Sequence, residues 1–246
     1  MSEGTKEYWR KYLKLDDHID ESYLKNFHSL NEIFRPLFFF VINLLARFYF
    51  RVEVYGMENI PDPPYIIAAN HCSSIDQTMV SWAIGKERRK VLYTIATKFF
   101  FDNAFARFFM KIAANIVRID PEADYLSAMQ AACKVLRLKK SIYVNPEGTR
   151  SEDGTLLPFK TGVGTIAVET GSPIVPTYID GTLRALPPGT IFPKPHKVKV
   201  YFHRPIQAEK YIEKQRTQAA YEIYKEVTNE LYARILALKD RAGNVS

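Results

Sequence analysis

Cysteine is nearly absent from this 246-residue chain: Cys72 and Cys133 are the only two, and neither lies at a metal-ligand spacing. Two thiols cannot build a disulfide framework, so a reducing compartment is the simplest setting. Clusters of His, Cys or carboxylate at ligand spacing are also missing, so no metal is expected. No zinc-finger spacing, RNA-recognition aromatic motif or Arg-rich arm is present, which counts against nucleic acid as a partner. A secretory leader is not expected either, because the first thirty residues are polar and charged without a leading apolar core. There is no internal repeat and no low-complexity segment. Uninterrupted apolar runs long enough to span a bilayer, about twenty residues, are missing as well.

What is present is an apolar, aromatic and basic chain. Hydrophobic residues make up 47% of it, with 16 Phe and 15 Tyr, enough for one domain with a sizeable core. The net charge of +7 points to an anionic partner, either a membrane surface or a phosphorylated substrate, although ordinary solubility explains charge alone equally well.

Residues 1–50 differ from the rest and read as a helical segment for the membrane interface. Tyr8, Trp9, Tyr12, Leu13, Leu15, Ile19, Tyr23, Leu24 and Phe27 recur at roughly helical spacing among charges. Pro36 then opens the stretch Leu37 to Ala46, a placement suited to the first position of a second helix. Arg35 and Arg47 bracket that stretch and Asn43 interrupts it, so it suits a helix lying in the interface. Arg35, Arg47 and Arg51 would then sit near lipid phosphates. Packing of the two helices on the core is the plain alternative, and the two readings can coexist.

From residue 51 to 246 the rhythm is βα. Strands are predicted at Arg51–Tyr55, Tyr65–Ala69, Val91–Ile95, Asn115–Ile119, Ser141–Asn145, Ile174–Ile179 and Val198–His203. Helices are expected at about 75–85, 100–113, 122–138 and 162–170, and a long one at about 207–240. This alternation predicts an α/β fold with a mostly parallel or mixed sheet flanked by helices, carrying an N-terminal amphipathic two-helix appendage.

Two strand ends carry chemistry. Tyr65 to Ala69 empties into Asn70-His71-Cys72-Ser73-Ser74-Ile75-Asp76, a His-x4-Asp turn. Ser74 and Gln77 fit a capping box, which would put Asp76 in the first helical turn, where free amides favour a carboxylate. A bond from His71 to Asp76 would set the tautomer and leave the other ring nitrogen to accept a proton. Cys72, Ser73 or Ser74 could act as a protein nucleophile, but all share the turn with His71, where in-line approach is awkward. The second strand, Ser141 to Asn145, ends in Pro146-Glu147-Gly148-Thr149-Arg150. There Gly148 permits close backbone approach, Thr149 offers a hydroxyl and Arg150 a planar fork for phosphate. Glu147 fits either as acceptor for a substrate hydroxyl or as a group orienting the bases. A structural turn with an Arg–Glu pair is the bland alternative. Phe99, Phe100, Phe101, Phe105, Phe108 and Phe109 crowd one helix, as core, acyl channel or membrane-facing surface.

Asn-His-x4-Asp, Pro-Glu-Gly-Thr-Arg and Pro173-Ile174-Val175-Pro176, in that order, resemble the glycerophospholipid acyltransferase family, in particular its bacterial 1-acyl-glycerol-3-phosphate acyltransferases. The resemblance covers roughly residues 52–204. It implies transfer of a fatty acyl group from acyl carrier protein or coenzyme A thioester to the sn-2 hydroxyl of lysophosphatidic acid, giving phosphatidic acid, with no cofactor. His71 would be the base for the substrate hydroxyl and Asp76 its orienter. Arg150, Lys98, Arg118 and Lys160 would join Glu147, Gly148 and Thr149 in binding substrate. The second family motif departs from the usual pattern here, with Phe99 in place of Glu and Asn103 in place of Pro. The oxyanion would need backbone amides or a lysine such as Lys98. Glycerol 3-phosphate or another lysolipid as acceptor, hydrolysis of lipid acyl esters, and simple lipid-phosphate binding are the alternatives. The implied location is the cytoplasmic face of the cell membrane, held peripherally.

Overall fold

The computed structural model describes residues 8–15, 17, 31–96, 115–118 and 125–243. A short helix at 8–12 (α1) precedes α2, Asn31–Leu44, which runs on through a wider turn at Leu45–Tyr49. The strands are β1 Glu53–Tyr55, β2 Ile66–Ala69, β3 Leu92–Ala96, β4 Asn115–Arg118, β5 Ser141–Val144, β6 Ile174–Asp180 and β7 Lys199–Phe202. Between them lie α3 Asp76–Ala83, α4 Gly85–Lys90, α5 Tyr125–Arg137, α6 Gly162–Thr170 and the single turn α7 Thr182–Ala185. After β7 come α8 Glu209–Ile212, a tight turn at Glu213–Arg216 and α9 Ala220–Gly243.

The strands form one seven-stranded sheet in the order β1-β7-β6-β2-β5-β3-β4. All neighbours run parallel except β6 and β7, which are antiparallel. The sheet is therefore mixed, as the α/β rhythm predicts. Every residue of β2, Ile66 to Ala69, is buried, which is why the strand reads as an apolar run without alternation. On one face Val135, Leu136, Ile166, Leu231 and Ile235 of α5, α6 and α9 pack on the sheet. On the other, Met79 and Val80 of α3 pack with Phe50, Ile67 and Val175. At Gly164 a Cβ would come within 2.3 Å of the Tyr224 carbonyl oxygen, so α9 can lie against α6 only over a glycine.

Three expectations change. The second N-terminal helix begins at Asn31, so Pro36 lies inside α2 and not at its first position. The turn before the proline is held from outside, by Arg35 Nη1 donating to Asn115 Oδ1 at 2.7 Å. That contact also turns Arg35 into the protein, where burial lowers its pKa, and not toward lipid phosphates. Finally, the C-terminal stretch is not one helix from 207: it is broken by α8 and the tight turn before α9. The Ile19 to Phe27 part of the first amphipathic pattern and the expected helix at 100–113 lie outside the described residues.

Candidate active site

β2 lies between β5 and β6 with its C-terminal end at the sheet edge where open α/β folds place ligands. In the parallel register Ala68 is level with Val144. His71 and Glu147 each follow three residues later, so the two loops leave the sheet side by side. Several bonds then lock them together. His71 N donates to Glu147 Oε1 at 2.8 Å, and Ser151 N donates to the His71 carbonyl at 2.8 Å. Asn145 Nδ2 donates to the carbonyls of Ala69 at 3.0 Å and Asn70 at 3.2 Å. Asn70 straps the other side, donating to the Ile179 carbonyl at 3.0 Å and accepting from Ile179 N at 2.7 Å.

His71 Nδ1 lies 2.9 Å from Asp76 Oδ2, with the imidazole 19% exposed and the carboxylate fully buried. The same oxygen accepts from Cys72 N at 2.8 Å and Ser73 N at 2.9 Å. A carboxylate only accepts, so Nδ1 carries the proton in this bond and Nε2 keeps its lone pair. Nε2 makes no hydrogen bond among the described residues and is free to take a proton.

The capping box does not form. Ile75 occupies the cap without a side-chain bond, and Gln77 Nε2 reaches across to Thr94 Oγ1 on β3. Ser73, not Ser74, is engaged, and it donates from Oγ to the Leu186 carbonyl at 2.7 Å. Cys72 Sγ sits 3.4 Å from Thr182 Oγ1, and burial first, then the Asp76 charge, pushes its thiol up to about 12. Ser73 and Cys72 are therefore committed elsewhere, and Nδ1 is spoken for, so neither is presented to the free face of His71. Ser74 is exposed.

Glu147 is buried, with Oε1 on His71 N and Oε2 accepting from Leu157 N at 3.0 Å. Burial raises its pKa, opposed by those two amide bonds. The side chain thus braces the His71 turn against the backbone at Leu157. No Arg–Glu pair forms, and Arg150 is exposed without a carboxylate partner among the described residues. Thr149 is exposed beside it. Gly148 has φ +74°, and a Cβ there would come within 2.6 Å of Lys160 Nζ, so Lys160 lies directly over the loop. Asp153 stiffens the return of the chain: its Oδ1 accepts from Thr155 Oγ1 at 2.7 Å, Thr155 N at 2.9 Å and Ser151 Oγ at 3.0 Å. Those bonds, the Thr155 hydroxyl foremost, hold its carboxyl down at about 2.

Next to this loop a cavity of about 250 Å³ opens between the sheet and α5 and α6. Ile95, Met129, Val163 and Ile166 make its walls apolar, and Lys160, Tyr125 and Gly148 stand at its polar end. The structure thus brings together His71, Asp76, Glu147, Gly148, Thr149, Arg150 and Lys160. Lys98 lies outside the described residues, and Arg118 is placed by its backbone at the end of β4, beside Ala96. Sequence reading missed Asn145, Ser151 and Leu157, whose parts are played by backbone groups or by contacts far along the chain.

Residues 51–180 match the family model described as Acyltransferase. The chain belongs to the acyltransferase family. Relatives of this acyltransferase include the chloroplastic 1-acyl-sn-glycerol-3-phosphate acyltransferase BAT2 of Brassica napus, 31% identical over 66% of this chain and 47% of the relative. The 1-acyl-sn-glycerol-3-phosphate acyltransferase of Cocos nucifera is 33% identical over 68% of this chain and 52% of the relative. The chain spans about half the length of these curated relatives. Its fold matches the crystal structure of the LPA acyltransferase PlsC from Thermotoga maritima with TM-score 0.58 and 24% identity, covering 97% of this chain and 98% of that one.

Proposed function

We propose that this acyltransferase moves a fatty acyl group from a thioester carrier to the free sn-2 hydroxyl of 1-acyl-glycerol 3-phosphate, giving phosphatidic acid. The observation that carries the reading is the His71–Asp76 pair, with Nε2 unbonded, locked beside an exposed Gly-Thr-Arg loop. The relatives, named as 1-acyl-sn-glycerol-3-phosphate acyltransferases, support the same substrate class. His71 Nε2 takes the hydroxyl proton as the oxygen attacks the thioester carbonyl, and Asp76 stabilises the imidazolium. The tetrahedral intermediate then collapses, the C–S bond breaks, and the imidazolium returns the proton to the leaving thiolate. Arg150, with Lys160 and Thr149, holds the acceptor phosphate, while Lys98 and Arg118 remain candidates for the same charge. Glu147 acts as a positioning residue through the His71 amide. The apolar cavity beside Gly148 and Lys160 suits an acyl chain. No cofactor is needed beyond the donor, either acyl carrier protein or coenzyme A thioester.

The enzyme reads as a peripheral protein of the cytoplasmic membrane face. Among the described residues no helix is long and apolar enough to cross a membrane. On α2 and its continuation, Phe39 packs inward, while Phe34, Leu37, Val41, Leu44 and Phe48 form an exposed stripe at helical spacing. Such a stripe suits the interface of an anionic bilayer.

The test is product analysis. Purified protein is given lysophosphatidic acid, glycerol 3-phosphate and other lysolipids with each donor, and products are read by mass spectrometry. Phosphatidic acid is the expected product. Free fatty acid alone would mean a hydrolase, and preference for another acceptor would move the reading to that substrate.

A further inference from the structure

The five most exposed large apolar side chains among the described residues fall in two places. Leu37 (65%), Phe40 (60%) and Phe48 (77%) lie on α2 and its continuation, while Ile191 (81%) and Phe192 (83%) lie at the tip of the loop between α7 and β7. That tip is held in shape by its own sequence. Pro187, Pro188, Pro193 and Pro195 restrict the backbone. Thr190 Oγ1 and N both donate to the Pro187 carbonyl, at 2.7 and 3.1 Å, and Lys194 N donates to the Ala185 carbonyl at 2.7 Å, closing the base. An ordered loop has thus set its two largest apolar side chains in water, where neither packs on the core.

The tip lies beside the continuation of α2: the Tyr49 hydroxyl donates to the Pro193 carbonyl at 2.8 Å, one residue from Phe48 and one from Phe192. Its charge is one-sided: residues 181–198 hold Arg184, Lys194, His196 and Lys197 and no Asp or Glu. Lys197 pairs with Glu53 and Arg184 with Asp180, while Lys194 stands exposed beside the apolar tip. Apolar residues at a tip with bases behind them match the layering of acyl chains beneath anionic headgroups. A folded protein partner would need a wider, continuous contact.

We propose that Ile191 and Phe192 form a second membrane-insertion point which, together with the α2 stripe, docks the enzyme on an anionic lipid surface. The proposal rests on the membrane-facing reading of α2 given above. Two insertion points fix orientation where one would leave a swivel. The loop base is also tied to the catalytic turn, through Ser73 Oγ to the Leu186 carbonyl and Cys72 Sγ beside Thr182 Oγ1. Docking the tip therefore sets the height and tilt of His71 above the lipid surface.

The experiment uses the full chain and vesicles of phosphatidylcholine with phosphatidylglycerol, some brominated in the acyl chains. In the Phe192→Trp variant, emission should shift to the blue on vesicles and be quenched by bromine beyond what Trp9 and Trp82 give in the parent. Emission at position 192 that stays water-like on vesicles that bind the protein overturns the proposal. A shift produced by acyl carrier protein and not by vesicles overturns it too, and assigns the tip to a protein partner. The double variant Ile191→Ser, Phe192→Ser should partition onto vesicles more weakly by about a hundredfold or more, the scale expected for two apolar side chains withdrawn from lipid. Turnover of a dissolved short-chain lysophosphatidic acid should be unchanged. Unaltered partitioning of the double variant would also overturn the proposal. Absence of acyl transfer by the parent protein would overturn the function instead and leave the fluorescence result standing.

Discussion

At the base end of the site, Asp76 is fully buried and one of its oxygens holds three partners. His71 is gripped through its backbone N–H and its carbonyl by the loop that carries Arg150. At the anion end, Gly148, Thr149 and Arg150 are exposed, and the guanidinium pairs with no carboxylate among the described residues. The contrast fits the work the proposed mechanism gives each end. On that mechanism, proton transfer needs its groups held within fractions of an ångström, and the His71 turn is built to that tolerance before any substrate arrives. A phosphate can be met by a long cationic side chain that folds down on it, provided the backbone beneath is fixed. Here the fixed backbone is shared: Glu147 and Ser151, either side of Gly148 to Arg150, both bond to His71.

Breaking the base end should have the largest effect. His71→Ala is expected to lower kcat by at least about 10²–10⁴, the usual worth of general-base catalysis, with lysophosphatidic acid KM little changed. Asp76→Asn should be nearly as severe, because Cys72 N and Ser73 N still find an acceptor while the imidazole loses its charge partner. Glu147→Gln should lower kcat about ten- to hundredfold, since an amide can replace only one of the two accepting oxygens and presents N–H to an N–H donor. Steady-state kinetics on variants shown folded by circular dichroism decide this. Near-normal kcat in His71→Ala would end the base assignment, and a pure KM effect in Glu147→Gln would place that carboxylate on substrate.

The anion end should behave in the opposite way. Arg150→Ala is expected to raise lysophosphatidic acid KM about ten- to hundredfold with a smaller change in kcat, and Arg150→Lys to recover only part of it. The comparison is sharpened by an acceptor without phosphate: its turnover, already poor, should not fall further in Arg150→Ala. An equal loss for both acceptors would show that Arg150 shapes the loop and does not hold phosphate.

How much of this was legible in the chain depends on the range of each contact. All seven strands lie within two residues of where the apolar runs put them, because buried strands such as Ile66 to Ala69 are continuous hydrophobic blocks. The His71–Asp76 bond was legible for the same reason, being closed within one turn. The Ser74–Gln77 capping box failed because Ile75 holds the cap position and Gln77 answers to Thr94 on β3, which no local pattern names. Glu147 points inward because Leu157 N and His71 N meet it there, one contact 10 residues away and the other 76. The strand order and the reversal of β7 against β6 are likewise products of long-range pairing, and the rhythm of the sequence carries neither.

The smallest effect should come from the residue next to the base. Cys72 is buried, its Sγ lies against Thr182 Oγ1, and its thiol is pushed up to about 12, burial being the main cause. At pH 8 only roughly one molecule in ten thousand would carry a thiolate there, too few for a nucleophile or a target. Cys133 is buried with its thiol raised to about 12 as well. The native protein should therefore resist iodoacetamide at pH 8, and both sites should react once it is unfolded. The sign of the linkage is fixed by the raised values: the stability each neutral thiol contributes is complete below the unfolded pKa near 9 and is lost as pH climbs toward 12. Cys72→Ala should keep turnover within about threefold, since the amide that bonds Asp76 belongs to the backbone and survives the change. Rapid alkylation of native protein at position 72 with parallel loss of activity, or an acyl adduct found there by mass spectrometry, would reverse the comparison. The base end would then hold a covalent nucleophile, and His71 would serve the thiol and not the substrate hydroxyl.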